Sequence, residues 1–146
     1  MGKKILTTLL LLLSLLATGT FVSCKEDAEV VDGLWDAMKW ETTVKANQDG
    51  YIQVDNTGGT FEFKCTNYSK PWFDEVAQSD DNKTYQHTYA YEQKDFRTIN
   101  TDWLSAKFVG NVLTINFLPT TQDAPRYITV TVTVGDTGHT FKFKQN

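Results

Sequence analysis

Between Arg126 and Gln145 apolar and polar side chains alternate with a period of two. Ile128, Val130, Val132 and Val134 fall on one face and Thr129, Thr131 and Thr133 on the other, as a half-buried β-strand requires. Phe141 and Phe143 repeat the alternation against Lys142 and Lys144, and Gly135-Asp136-Thr137-Gly138 between the two runs carries hairpin turn chemistry. The same period recurs upstream. It predicts strands over Met38, Trp40, Thr42, Val44 and Ala46, over Tyr51 to Val54, over Thr60 to Thr66, over Trp72 to Val76 and over Thr84 to Tyr91. Further strands are expected at Phe96 to Ile99, Trp103 to Val109 and Val112 to Leu118. Turns at Asn47–Gly50, Asp55–Gly59 and Gly110-Asn111, a polar loop at Gln78–Lys83 and a long connection at Pro119–Pro125 separate them. Short strands punctuated in this way predict an all-β sandwich.

The chain opens differently. Lys3 and Lys4 precede Ile5 to Leu16, a nearly unbroken aliphatic run, and Phe21-Val22-Ser23-Cys24 closes it. This is the layout of a secretory signal ending in a lipobox, over residues 1–23. The run is 12 residues long, short of the roughly 20 that a membrane-spanning helix needs. Cys24 is the expected lipidation site, so the membrane partner would hold an acyl anchor rather than a helix. Residues 24–30 contain Lys25-Glu26-Asp27-Ala28-Glu29, an acidic tether similar to the surface-export signal of Bacteroidetes lipoproteins. The expected location is therefore the outer membrane, exposed at the cell surface.

Charge and cysteine count narrow the function. The whole chain carries −4, and residues 1–23 contain two lysines and no acid, so the rest carries −6. That balance argues against nucleic acid, which calls for a basic face. Of the two cysteines, acylation of Cys24 leaves Cys65 without an intramolecular partner. Cys65 shares a strand face with Phe61 and Phe63 and is expected to be a buried thiol acting as a small hydrophobe.

Gly58-Gly-Thr-Phe-Glu-Phe-Lys-Cys-Thr-Asn-Tyr-Ser-Lys-Pro-Trp72, Asp102-Trp-Leu-Ser105, Val112-Leu-Thr-Ile-Asn-Phe117, Arg126 and the closing Phe143-Lys-Gln145 resemble the BACON domain. The resemblance covers residues 58–146 and implies an immunoglobulin-like antiparallel β-sandwich of about 7 to 9 strands, with residues 31–57 adding strands at its N-terminal side. Trp72, Trp103, Arg126 and Gln145 look like the family's marker positions, and Trp103 is expected to be buried. The family's proposed role, adhesion to carbohydrate or mucin, is a further implication of the resemblance. The loop Pro119–Pro125 and the long, aromatic segment Ala77–Asn100 depart from the family pattern, so no ligand surface carries over.

No catalytic constellation stands out. His87 and His139 have no metal-ligand spacing, no nucleophile elbow or phosphate loop is present, and the acid pairs Asp74-Glu75 and Asp80-Asp81 lack the disposition of a carboxylate pair across a cleft. No enzyme activity, cofactor or metal is expected. The candidate ligand-binding residues are aromatic: Trp72, Phe73, Tyr85, His87, Tyr89 and Tyr91. The last four fall on one strand face and could stack on sugar rings. Because the opposite face is polar except for Ala90, alternation favours the aromatic face as the core face, whereas three tyrosine hydroxyls in need of partners argue for a rim. The expected function is that of a surface-anchored, non-catalytic lipoprotein, a spacer or protein-interaction module contacting a surface protein. The alternative is a weak glycan-binding accessory protein using the aromatic platform.

Overall fold

A computed structural model describes residues 35–146, so the leader, Cys24 and the acidic tether lie outside the described residues. Ten strands follow in order: β1 (Trp40–Glu41), β2 (Ile52–Val54), β3 (Gly59–Cys65), β4 (Trp72–Ser79), β5 (Gln86–Tyr89), β6 (Thr98–Asn100), β7 (Leu104–Val109), β8 (Val112–Phe117), β9 (Arg126–Thr133) and β10 (Gly138–Gln145). A single 3-10 turn, Ala90–Gln93, follows β5. Two five-stranded sheets form, with orders β1-β3-β8-β7-β6 and β2-β10-β9-β4-β5. In the first, β1-β3-β8-β7 stand where strands A, B, E and D of an immunoglobulin sandwich stand, and β4-β9-β10 occupy the places of C, F and G in the second.

The count exceeds the expected nine strands, and one pairing is not antiparallel. β2 runs parallel to β10, with Phe143 opposite Ile52 and Gln145 opposite Val54. The N-terminal segment crosses from one sheet to the other, so β1 and β2 each cap an edge. Other boundaries moved for local reasons. The run from Met38 to Ala46 is a strand only at Trp40–Glu41, because the Thr42 hydroxyl donates to the Glu62 carbonyl at 3.0 Å and leaves the ladder. Gln78 and Ser79, expected in a loop, complete β4 opposite Ile128 and Tyr127.

The two sheets bury the alternating apolar set read from the sequence. Aromatic rings interdigitate between them: Phe63 meets Phe141 at 4.4 Å, Phe117 meets Phe143 at 4.8 Å, and Phe73 meets Phe108 at 4.9 Å between ring centroids. Cys65 is fully buried beside Phe63. Gly58, at φ +84°, ends the turn after β2 where any Cβ would collide with the Phe117 carbonyl, so the turn admits no larger residue there. Trp103 is only half-buried, because it packs over the rim of the core rather than within it. Trp35–Asn146 forms one compact unit with its own core.

Candidate functional site: an aromatic row on the outer sheet face

The β4–β5 hairpin turns on Asp81. Its carboxylate accepts from the amides of Lys83 and Thr84, each at 2.7 Å, and from the Ser79 hydroxyl at 2.8 Å. Those bonds pull the Asp81 carboxyl down to about 2. Asp81 is thus spent on its own loop. Among the described residues no group of three or more histidine, cysteine or acidic side chains converges as a metal site. Asn82, at φ 57°, turns the chain back, and its side-chain oxygen accepts from Tyr85 Oη at 2.6 Å and from Tyr51 Oη at 3.4 Å. Burial, with Tyr51 and Tyr127 close by, pushes the Tyr85 phenol up.

The hairpin register decides which way the aromatic residues face. Val76 is buried and pairs with Thr88 and Val130, whereas the neighbouring position, Ala77, pairs with His87 and Thr129. His87 and Tyr89 therefore share the solvent face with Ala77 and Glu75, and Thr88 and Gln86 take the core side. This overturns the expectation from alternation. β5 lies at the edge of its sheet, where the inner side sits at the rim of the core. There Gln78, Gln86 and Trp103 line a small polar pocket of about 130 Å³ that polar side chains fit.

On the outer face the rings form a row. His87 and Tyr89 lie 5.9 Å apart at an interplanar angle of 12°, and Tyr89 and Tyr91 lie 5.3 Å apart at 19°. Rings this close and nearly parallel overlap like tilted plates. The last of them, Tyr91, belongs to the 3-10 turn and is 62% exposed. His87 Nδ1 lies 2.8 Å from Glu75 Oε2, which fixes the imidazole at one end of the row. Alongside runs a low floor. Ala77 and Ser79 point outward yet are only 3% and 2% exposed, overshadowed by larger neighbours on β5 and β9. The far wall is Tyr127, Thr129 and Thr131 on β9, with the Tyr127 ring edge-on to Tyr51 at 5.7 Å and Lys144 Nζ 5.7 Å from its centroid. The result is a shallow face with stacking rings, hydroxyls, a carboxylate and an ammonium.

Three candidates do not join the row: Tyr85, tied to Asn82 with Tyr51 and Tyr127 close by, and the pair Trp72 and Phe73. Phe73 is fully buried and belongs to the core, opposite buried Val132. Consecutive strand residues face opposite ways, so Trp72 and Phe73 were never able to share a platform. Trp72 is half-buried and lines a separate open pocket of about 420 Å³ with Phe96 and Arg97. Sequence reasoning missed Glu75, Tyr51 and Tyr127. Tyr127 sits on the hydroxylated face of the last hairpin and was in view, but its neighbours were not. The first sheet carries a hollow of about 440 Å³ on its outer face, lined by Thr60, Asn100, Ser105, Lys107 and Asn116 among others, which holds no ring for stacking.

No protein-family model matches the chain, and no curated protein matches it. The fold is similar to that of an NMR structure of a protein from Bacteroides thetaiotaomicron, at a TM-score of 0.64 and 27% identity, covering 80% of this chain and 92% of that one. An all-β sandwich with a Bacteroides structural neighbour is what the sequence and the structure together establish.

Proposed function

We propose that this chain is a BACON-like lipoprotein, anchored through Cys24 at the outer membrane and exposed at the cell surface, whose outer sheet face binds glycans weakly. The observation that carries the binding reading is the row His87, Tyr89 and Tyr91 on the outer face, nearly parallel beside a low floor, with His87 and Tyr91 exposed and Tyr89 half-buried between them. Aromatic surfaces take the apolar C–H faces of sugar rings, and the adjoining Glu75, Thr129 and Thr131 offer partners for hydroxyl groups. A shallow face buries little ligand, so dissociation constants of about 0.1 to 1 mM are expected, equivalent to about 4 to 5.5 kcal/mol. The lipobox before Cys24 supports the envelope setting, and the neighbour from Bacteroides thetaiotaomicron fits the bacterial group whose lipoproteins the acidic tether resembles.

Titration calorimetry and a glycan array on the chain from Cys24 onward test the proposal, with Tyr89→Ala/Tyr91→Ala as the comparison. The double variant should lose binding while keeping its melting temperature, because removing side chains from the outer face opens no cavity. If the wild-type domain ignores a broad panel of host and plant glycans, the spacer or protein-interaction role takes precedence.

A further inference from the structure

Five large apolar side chains are exposed among the described residues, and three of them, Trp35 (47%), Phe96 (49%) and Val109 (66%), gather at one end of the sandwich. They belong to one surface. The Trp35 ring stacks on Tyr68 at 5.9 Å, and a Cβ at Gly135 would stand 3.9 Å from both the Trp35 and Trp72 rings. Trp72 shares its open pocket with Phe96 and Arg97, and Arg97 donates to the Gly110 carbonyl at 2.6 Å, next to Val109.

We propose that this end of the sandwich rests on the interface of a lipid bilayer, a reading that builds on the anchor at Cys24 inferred above. Trp35 is where the folded unit begins, and the ten residues between Cys24 and Trp35 reach at most about 35 Å when fully extended. The chain therefore leaves the domain at its apolar end, within a short tether of the lipid. Tryptophan and other amphipathic rings favour the headgroup level of a membrane. Three cations, Lys39, Lys70 and Arg97, and three acids, Asp36, Asp95 and Asp136, lie within a few residues of these rings and their turn in the sequence, so the charges balance and suit zwitterionic headgroups.

The test supplies the anchor chemically. The chain from Cys24 to Asn146 is coupled through the Cys24 thiol to a maleimide lipid in phosphatidylcholine vesicles; Cys65, fully buried, is spared. Tryptophan fluorescence is then compared with and without bromine in the acyl chains. Loss of about a third or more of the emission in brominated vesicles is expected, together with recovery of most of it in Phe96→Ser/Val109→Ser. Equal emission in both vesicles, or equal quenching in the double variant with an unchanged melting temperature, overturns the docking. Fatty-acid labelling of Cys24 in cells is read separately, so a missing label overturns the anchor alone, while quenching in the vesicles still supports the apolar end.

Discussion

The guanidinium carbon of Arg126 lies 4.6 Å from the ring centroid of Trp103. Arg126 opens β9 in one sheet and Trp103 immediately precedes β7 in the other, so the contact bridges the two sheets next to the pocket that Trp103 lines with Gln78 and Gln86. The Arg126 Nε is buried without a partner, and burial lowers the guanidinium pKa from its ordinary value. The ring face is what compensates that group.

Trp103→Ala should therefore cost about 2 to 4 kcal/mol, below the range for a fully buried tryptophan, because the ring is only partly covered. In a double-mutant cycle with Arg126→Met the two residues should couple by about 0.5 to 2 kcal/mol. Chemical denaturation of the four proteins measures it. Additive losses would show that the ring covers the core without holding the cation.

Gln145, fully buried in the last strand, donates through Nε2 to the carbonyls of Asp55 at 3.1 Å and Leu118 at 2.9 Å. One side chain ties the turn after β2, the end of β8 and the parallel pairing of β2 with β10. Gln145→Leu should cost about 1 to 3 kcal/mol, since two carbonyls lose their donor. Gln145→Glu should cost more at neutral pH, because a carboxylate accepts where a donor is needed. Urea unfolding at pH 7 ranks the two, and equal losses would show that shape, not donation, is what the site requires.

His139 packs edge-on against Phe141 at 4.5 Å and lies 5.9 Å from Trp40, and burial holds its pKa below the ordinary histidine value. The folded state binds that proton less readily than the unfolded chain does. The corresponding stability is present above about pH 6.5 and is lost as the pH falls through the folded value. Between pH 7.5 and pH 5 the denaturation midpoint should drop more in the wild type than in His139→Gln. Parallel curves for the two proteins would assign the acid sensitivity to other groups.

Much of this molecule is legible in its alternation. The faces of β3, β9 and β10 follow directly from period-two patterning, and the buried thiol of Cys65 follows from its place beside Phe61 and Phe63. These positions are legible because each strand lies inside its sheet, with one face on the core and one in solvent, which is the condition under which patterning reports burial. The sequence also separates Phe73 from Trp72, since neighbours on a strand face opposite ways, a constraint that a search for aromatic residues by type alone overlooks.

Where a strand sits in its sheet is a different kind of information. The segment Thr84 to Tyr91 has an aromatic face and a polar face, and local patterning assigns the aromatic one to the core. At the sheet edge that rule reverses: the pairing of Ala77 with His87 and of Val76 with Thr88 turns the rings outward, and the rim of the core receives the threonine and glutamine side chains. Long-range pairing likewise brought Glu75 to His87, Tyr51 and Tyr127 to the far wall, and β2 into parallel register with β10. The sequence by itself determined the all-β class, most of the strands and the inward faces of those that lie inside their sheets, because those depend on neighbours a few residues away. Which strand borders which, and hence which aromatic residues meet solvent together, was decided only by the tertiary structure, because that depends on contacts between residues distant along the chain.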